Sequence, residues 1–240
     1  MTLRIAAWSG PRNISTAMMR AWESRPDCTV VDEPFYACYL QETGLDHPCR
    51  EAVLASQPTT RTAVESELLA PVDAPFQYQK HMTHHMPIGV DLTWSATFSH
   101  VFLIRCPEQV IASYQSKMPA VTADDIGIVR QHSLFEEISA IAGSRPVVID
   151  GADVLDSPEK SLRQLCEAVG VPWIEGAMSH WSAGPRDSDG VWASHWYNSV
   201  HQSTGFTRVQ NDYPELSPAN RTLAEEMMPY YEALAQHRLS

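Results

Sequence analysis

Apolar residues fall along this chain in short blocks separated by turn formers. Leu3–Trp8 (LRIAAW) is a compact apolar run ended by Gly10-Pro11, which predicts a buried strand. Ile14, Ala17, Met18, Ala21 and Trp22 follow at helical spacing, with Asn13 placed as an N-cap. Cys28–Val31 predicts a second strand running into Asp32-Glu33-Pro34, Phe76–Lys80 a third and His100–Ile104 a fourth. Pro107 opens a helix at a position where its missing N–H costs nothing, and Val110, Ile111 and Tyr114 give that helix an apolar stripe. A helix over Asp125–Ala142, a fifth strand at Val147–Ile149 and a helix from Ser157-Pro158 to a stop at Gly170 and Pro172 come next. Periodicity fades over 173–215, and a last helix from Pro218 is expected to bend or break at Pro229. Strands alternating with helices predict an α/β fold: three layers, a mostly parallel sheet flanked by helices, forming one domain over 1–240. In such sheets ligands gather at the carboxyl ends of the strands, so the polar residues just after each strand are where chemistry is sought.

Composition narrows the field. The 240 residues carry 17 Lys+Arg against 29 Asp+Glu, a formal net charge of −12, which argues against a nucleic-acid or anionic-membrane surface. It leaves room for a locally positive pocket that binds a small anion. No apolar run has the length of a membrane span, and the first residues turn polar too early for a secretory leader. Five cysteines without CxxC spacing are read as free thiols in a reducing cytoplasm. Only Lys80, Lys117 and Lys160 exist, and the last two fall in solvent-facing helical segments, so Schiff-base chemistry would have to use Lys80.

Two strand-to-helix turns carry the strongest signals. Pro11-Arg12-Asn13-Ile14-Ser15-Thr16 links the first strand to the first helix. The free N–H groups of that helix start, the two hydroxyls and the Arg12 guanidinium together suit a phosphate-like anion. The loop lacks the GxxxxGK[ST] pattern, which disfavours a Lys- and Mg²⁺-dependent nucleoside triphosphatase. The second turn, Arg105-Cys106-Pro107 through Ser113-Tyr114, leaves the fourth strand and puts another Arg and another hydroxyl at the same sheet edge.

This pair of turns resembles the two nucleotide-binding motifs of the P-loop sulfotransferases, P-[KR]-S-G-[ST]-[ST] and R-x-P-x-x-x-x-x-S-x. The likeness covers about residues 3–170 and includes the strand and turn Val148–Leu155. It implies a P-loop sulfotransferase-like fold and the use of 3′-phosphoadenosine 5′-phosphosulfate (PAPS) as co-substrate without a metal. By the resemblance, Pro11, Arg12, Asn13, Ile14, Ser15 and Thr16 hold the 5′-phosphosulfate, and Arg105 and Ser113 the 3′-phosphate. Asn13-Ile14 replaces the family's Ser-Gly, and its late basic glycine motif has as its only substitute the stretch with Gly205 and Arg208.

Sulfuryl transfer is an in-line displacement that needs positioning and charge stabilisation. Arg12 is expected to stabilise the leaving phosphate oxygen, with Lys80 sharing that role or standing as a solvated strand-end lysine. The acceptor, a hydroxylated small molecule, needs a base: Glu33 just after the second strand, or His81 next to Lys80. His81, His84 and His85 also admit a metallohydrolase, with His180, His195 or His201 as a further ligand, although the spacing fits no zinc pattern. Trp181, Trp192, Trp196 and Tyr197 beside Asp187 and Asp189 either cage the acceptor or pin an irregular loop to the core, the second being favoured. A sulfotransferase-like binding protein without transfer activity is the rival outcome, and a homo-oligomer is left open.

Overall fold

A computed structural model describes residues 2–115, 121–207 and 215–239. Its sheet has five strands among the described residues: β1 (Leu3–Ser9), β2 (Cys28–Asp32), β3 (Phe76–Met82), β4 (Ser99–Ile104) and β5 (Val147–Asp150). All pairs are parallel and the spatial order is β2-β3-β1-β4-β5. The chain leaves β1 toward β2 on one side and β4 toward β5 on the other. The β1/β4 junction is therefore the switch point, the position at which open parallel sheets commonly form a ligand crevice.

Helices cover both faces. After β1 comes α1 (Ser15–Glu23); after β2 come α2 (Tyr36–Thr43), α3 (Arg50–Ser56) and α4 (Arg61–Leu69). α5 (Pro107–Gln115), α6 (Ala123–Ile126) and α7 (Ile128–Ala142) lie between β4 and β5. α8 (Gly151–Asp156) and α9 (Pro158–Ala168) follow β5, and α10 (Ala193–Trp196), α11 (Asn198–His201) and α12 (Pro218–Ala235) complete the chain.

Alternation along each strand sorts the core into two layers. Ala6, Trp8, Phe102, Ile104 and Val148 pack with Leu134, Phe135 and Ile138 of α7 and Leu234 of α12. Ile5, Ala7, Tyr78, Val101, Leu103 and Ile149 face the other way, onto Met18, Met19 and Trp22 of α1 and Leu162 and Leu165 of α9. A third cluster joins Tyr36, Leu40 and Val53 to Trp192 and Tyr197, so the irregular later segment is pinned over α2 and α3.

Two local expectations change. The helix expected over Asp125–Ala142 is two helices, because Gly127 turns left-handed at φ 71. α6 starts on a capping box in which Thr122 and Asp125 bond each other's backbone N–H. The helix at Pro218–Ala235 runs through Pro229 unbroken. Pro229 and Glu225 are exposed, so water can bond the carbonyl that loses its partner, while Ala224, Met227 and Leu234 hold the other side to the core. Three short helices between β2 and β3 had no sequence expectation at all.

Candidate active site

The first loop is shaped by close packing. A Cβ on Gly10 would meet the Ile126 carbonyl at 3.0 Å, and one on Gly127 would lie 3.5 Å from Pro11. The break between α6 and α7 thus seats the loop against the helical layer. Arg12 adopts a left-handed backbone, φ 55, which swings the chain over the end of β1. Asn13 does not cap α1: the cap position is Ile14, without a side-chain bond. The Asn13 amide reaches back into the sheet, where Nδ2 donates to Leu103 O at 3.1 Å and Oδ1 accepts from Ile14 N–H at 2.8 Å. Gln131, buried in α7, donates to Trp8 O at 3.1 Å and Leu103 O at 3.0 Å. These two amides fill the carbonyls where the β1–β4 ladder ends, which is a backbone need that the crevice itself creates.

The two turns meet directly. Arg12 Nε and Nη2 donate to Ser113 Oγ at 3.0 and 2.8 Å, and Arg105 Nη1 donates to the Arg12 carbonyl at 2.6 Å. The first bond of α1 runs from Met18 N–H to Ile14 O, so the N–H groups of Ser15, Thr16 and Ala17 have no helical acceptor. Ser15 is buried and Thr16 half-buried, and neither hydroxyl bonds a described residue. The donors outnumber the acceptors here, which fits an anionic group such as the 5′ end of PAPS. Gly205 lies elsewhere: it bridges His180 and packs beside the Trp181–Phe206 ring pair, centroids 5.1 Å apart. Arg208 falls outside the described residues.

One strand over, at the ends of β2 and β3, the chemistry reverses. Lys80 is not the solvated strand-end lysine that was considered, being 1% exposed. Its ammonium donates to Asp32 Oδ1 at 2.9 Å, Glu33 Oε1 at 2.6 Å and the Tyr197 hydroxyl at 2.6 Å. Tyr197 OH also lies 2.6 Å from Asp32 Oδ2 and accepts from Trp192 Nε1 at 3.1 Å. Burial raises the Glu33 carboxyl above its ordinary range; Lys80 pulls it down, Asp32 pushes it up, and the net direction is up. Burial alone would lower Lys80, but Asp32, Glu33 and Tyr197 override it and hold the ammonium well above its usual value.

The histidines part company. His81 points to the opposite face of β3 from Lys80, stacked 4.4 Å from Trp8 with Nε2 3.1 Å from Gln79 Oε1. Burial pushes it down to about 3, so it stays neutral. Side chains alternate along a strand, so adjacent residues 80 and 81 cannot both reach one crevice. His85 is sandwiched between Tyr36 and Tyr39, centroids 4.8 and 4.9 Å away, and His84 stands edge-on to Tyr39 at 5.4 Å. Among the described residues no three His, Cys, Asp or Glu side chains are grouped to hold a metal ion. Trp181 and Trp192 belong to different core clusters, Trp196 is exposed, and Asp189 pairs with Arg20 at 2.5 Å. All five cysteines are free, and burial pushes Cys28 up to about 12 and Cys38 and Cys166 up to about 11. Asp32 and Tyr197 were missed as partners of Glu33. Only the Asp32-Glu33 pair at a strand end could have hinted at them, since residue 197 is far away in sequence.

The chain is an open parallel α/β sheet with an arginine-bearing loop at its switch point. The sulfotransferase-domain family profile matches residues 3–238, and the chain belongs to that family. Its structure superposes on a sulfotransferase from Alicyclobacillus acidocaldarius (TM-score 0.59, 10% identity, 100% of this chain and 98% of that one). It also superposes on the sulfotransferase domain of the curacin biosynthetic pathway (TM-score 0.55, 16% identity, 95% and 98% covered). Mouse sulfotransferase SULT7A1, complexed with PAP, gives TM-score 0.52 at 12% identity, covering 99% of this chain and 90% of that one. At those identities the likeness speaks for the fold. Two Arabidopsis thaliana proteins named branched-chain-amino-acid aminotransferase-like protein 1 and 2 are 34% and 32% identical over 97% of the chain. The chain spans 42% and 41% of their lengths. No helix among the described residues is long and apolar enough to cross a membrane.

Proposed function

We propose that this protein transfers a sulfuryl group from PAPS to a hydroxyl of a small metabolite in the cytoplasm, without a metal ion. The observation that carries the reading is the junction of the two turns: Arg12 on Ser113, Arg105 on the Arg12 carbonyl, and the open N–H groups of α1 beside them. The binding of PAP by mouse SULT7A1 supports it. PAPS when bound supplies the sulfuryl group, and PAP is the leaving group. The Arg12 loop and the start of α1 would hold the 5′ end, with Arg105 and Ser113 at the 3′-phosphate. Glu33 takes the proton from the acceptor hydroxyl as the new O–S bond forms. It is preferred to His81, which is sealed under Trp8 on the far face. Lys80 serves this base by holding it, since its three N–H donors are all engaged inside the protein.

Calorimetry with PAP tests the reading. Heat of binding is expected below millimolar ligand, and Arg105→Ala should weaken it about 10- to 100-fold, the size of one charge-assisted hydrogen bond. No heat at millimolar PAP overturns it. A second reading, nucleotide binding without transfer, is favoured by the full engagement of Lys80, which leaves it no donor for a departing phosphate. Binding of PAP with no transfer across a panel of hydroxylated acceptors would select it. Lys80 itself is sealed inside the cluster and is not reachable for a Schiff base.

A further inference from the structure

Asp32 and Lys80 are register partners on β2 and β3, both buried. Asp32 is gripped from three parts of the chain: by Lys80 Nζ, by the Tyr197 hydroxyl, and by the Gly190 N–H, which donates to Oδ2 at 3.2 Å. Tyr197 OH accepts from Lys80 and Trp192 and donates to Asp32, so its hydrogen-bonding capacity is fully used. Glu33 is placed by its backbone. Its φ is 42, its N–H donates to Lys80 O at 2.9 Å, and its carbonyl accepts from Tyr36 N–H at 3.0 Å and Gln57 Nε2 at 3.2 Å. A left-handed glutamate held by three backbone bonds is a costly conformation, retained where the surroundings over-determine it. The groups facing its carboxyl are Lys80 from β3, Asp32 from β2, Tyr36 from α2 and Tyr197 from the segment beyond α10. Two carboxylates share one ammonium, so the cluster can hold one proton more or one fewer.

We propose that Asp32 and Tyr197 are positioning residues for Glu33: both orient the Lys80 ammonium and Asp32 offsets its charge, leaving Glu33 as the carboxylate of the cluster that takes up and gives back a proton. This rests on the reading of Glu33 as the base. The 190–197 segment thereby contributes to proton transfer through Asp32 and Lys80, without touching the acceptor. If Asp32 loses its charge, the Lys80 ammonium acts on Glu33 alone and makes it a weaker base.

The test is the Glu33 carboxyl titration followed by ¹³C NMR in the full chain without substrate, assigned with Glu33→Gln. Asp32→Asn should move the midpoint down by about one pH unit or more, the size of an uncompensated nearby charge. Asp32→Asn/Lys80→Met, which removes both charges, should move it above wild type. An unchanged midpoint in the first variant, or a double variant at or below wild type, overturns the proposal. If Asp32→Asn does not fold, the double variant decides. Tyr197→Phe should lower kcat about 10-fold at unchanged PAP affinity, and a normal kcat would remove Tyr197 from the role. Full turnover by Glu33→Gln with the expected order of midpoints would remove Glu33 as the base while leaving the charge coupling. Lost turnover with unshifted midpoints would remove the coupling and leave the base.

Discussion

The carboxyl edge of the sheet ends in two junctions one strand apart, built on opposite balances. At β1/β4 donors are in excess: Arg12, Arg105, the start of α1 and two hydroxyls, half-open to solvent. At β2/β3 acids are in excess: Asp32 and Glu33 share Lys80, under the cover of Trp192 and Tyr197. A chain with a net charge of −12 can thus present a locally cationic cradle where Arg12 and Arg105 lie beyond the ends of β1 and β4. On the proposed reading the difference also separates tasks, with anion binding at the open junction and proton handling at the more enclosed one.

The sharpest way to break this division is Glu33→Gln. Turnover should fall about 10²- to 10⁴-fold, the usual worth of a general base, while PAP affinity stays unchanged. An equal loss of affinity would merge the two junctions into one. In the wild type, activity should fall as pH drops through the raised Glu33 value, placing the acid limb above the ordinary carboxylate range. Initial rates across pH would show it, and a limb below that range would detach Glu33 from catalysis.

Next in size, Lys80→Met should cost about 3–5 kcal/mol in urea unfolding, because it strands two buried carboxylates. Arg105→Ala, at the open junction, should cost about 1 kcal/mol. Comparable losses would show that both junctions carry the fold.

A pH effect sharpens the contrast with the buried histidines outside the cluster. Burial lowers His81 to about 3, His100 to about 4 and His85 well below its usual value, so all three are neutral in the folded protein. Unfolded, they protonate below about pH 6.5. Their contribution is complete above that pH and is lost as pH falls toward the folded values, by about 1.4 kcal/mol per unit for each histidine. Urea unfolding at pH 7 and pH 5.5 would read the slope. A flat response would mean that these rings protonate without unfolding.

Strands β1, β4 and β5 were legible because each holds a short apolar run closed by a turn, and in a parallel sheet covered on both faces burial forces that pattern. Arg12 and Arg105 stood out for a related reason: Arg105 directly follows β4, and Arg12 comes after the Gly10-Pro11 pair that closes β1. The helices over 36–69 were not, since 7- to 9-residue helices carry too few turns to show a period. Gly127 was read through as part of one helix because its left-handed turn answers a tertiary demand, the approach of Pro11. Asn13 was read as a cap because the free end of a nearby strand is invisible in sequence. Tyr197 sits in an aperiodic stretch, and only folding brings it within 2.6 Å of Lys80.

The Asn13 anchor also constrains how this loop can change over generations. A Cβ at position 151 would come within 2.7 Å of Asn13 Oδ1, so a larger residue there has to displace the amide that bonds Leu103 O and Ile14 N–H. Exchange of Asn13 for a smaller residue relieves that clash, so tolerance at position 151 is coupled to what stands at position 13.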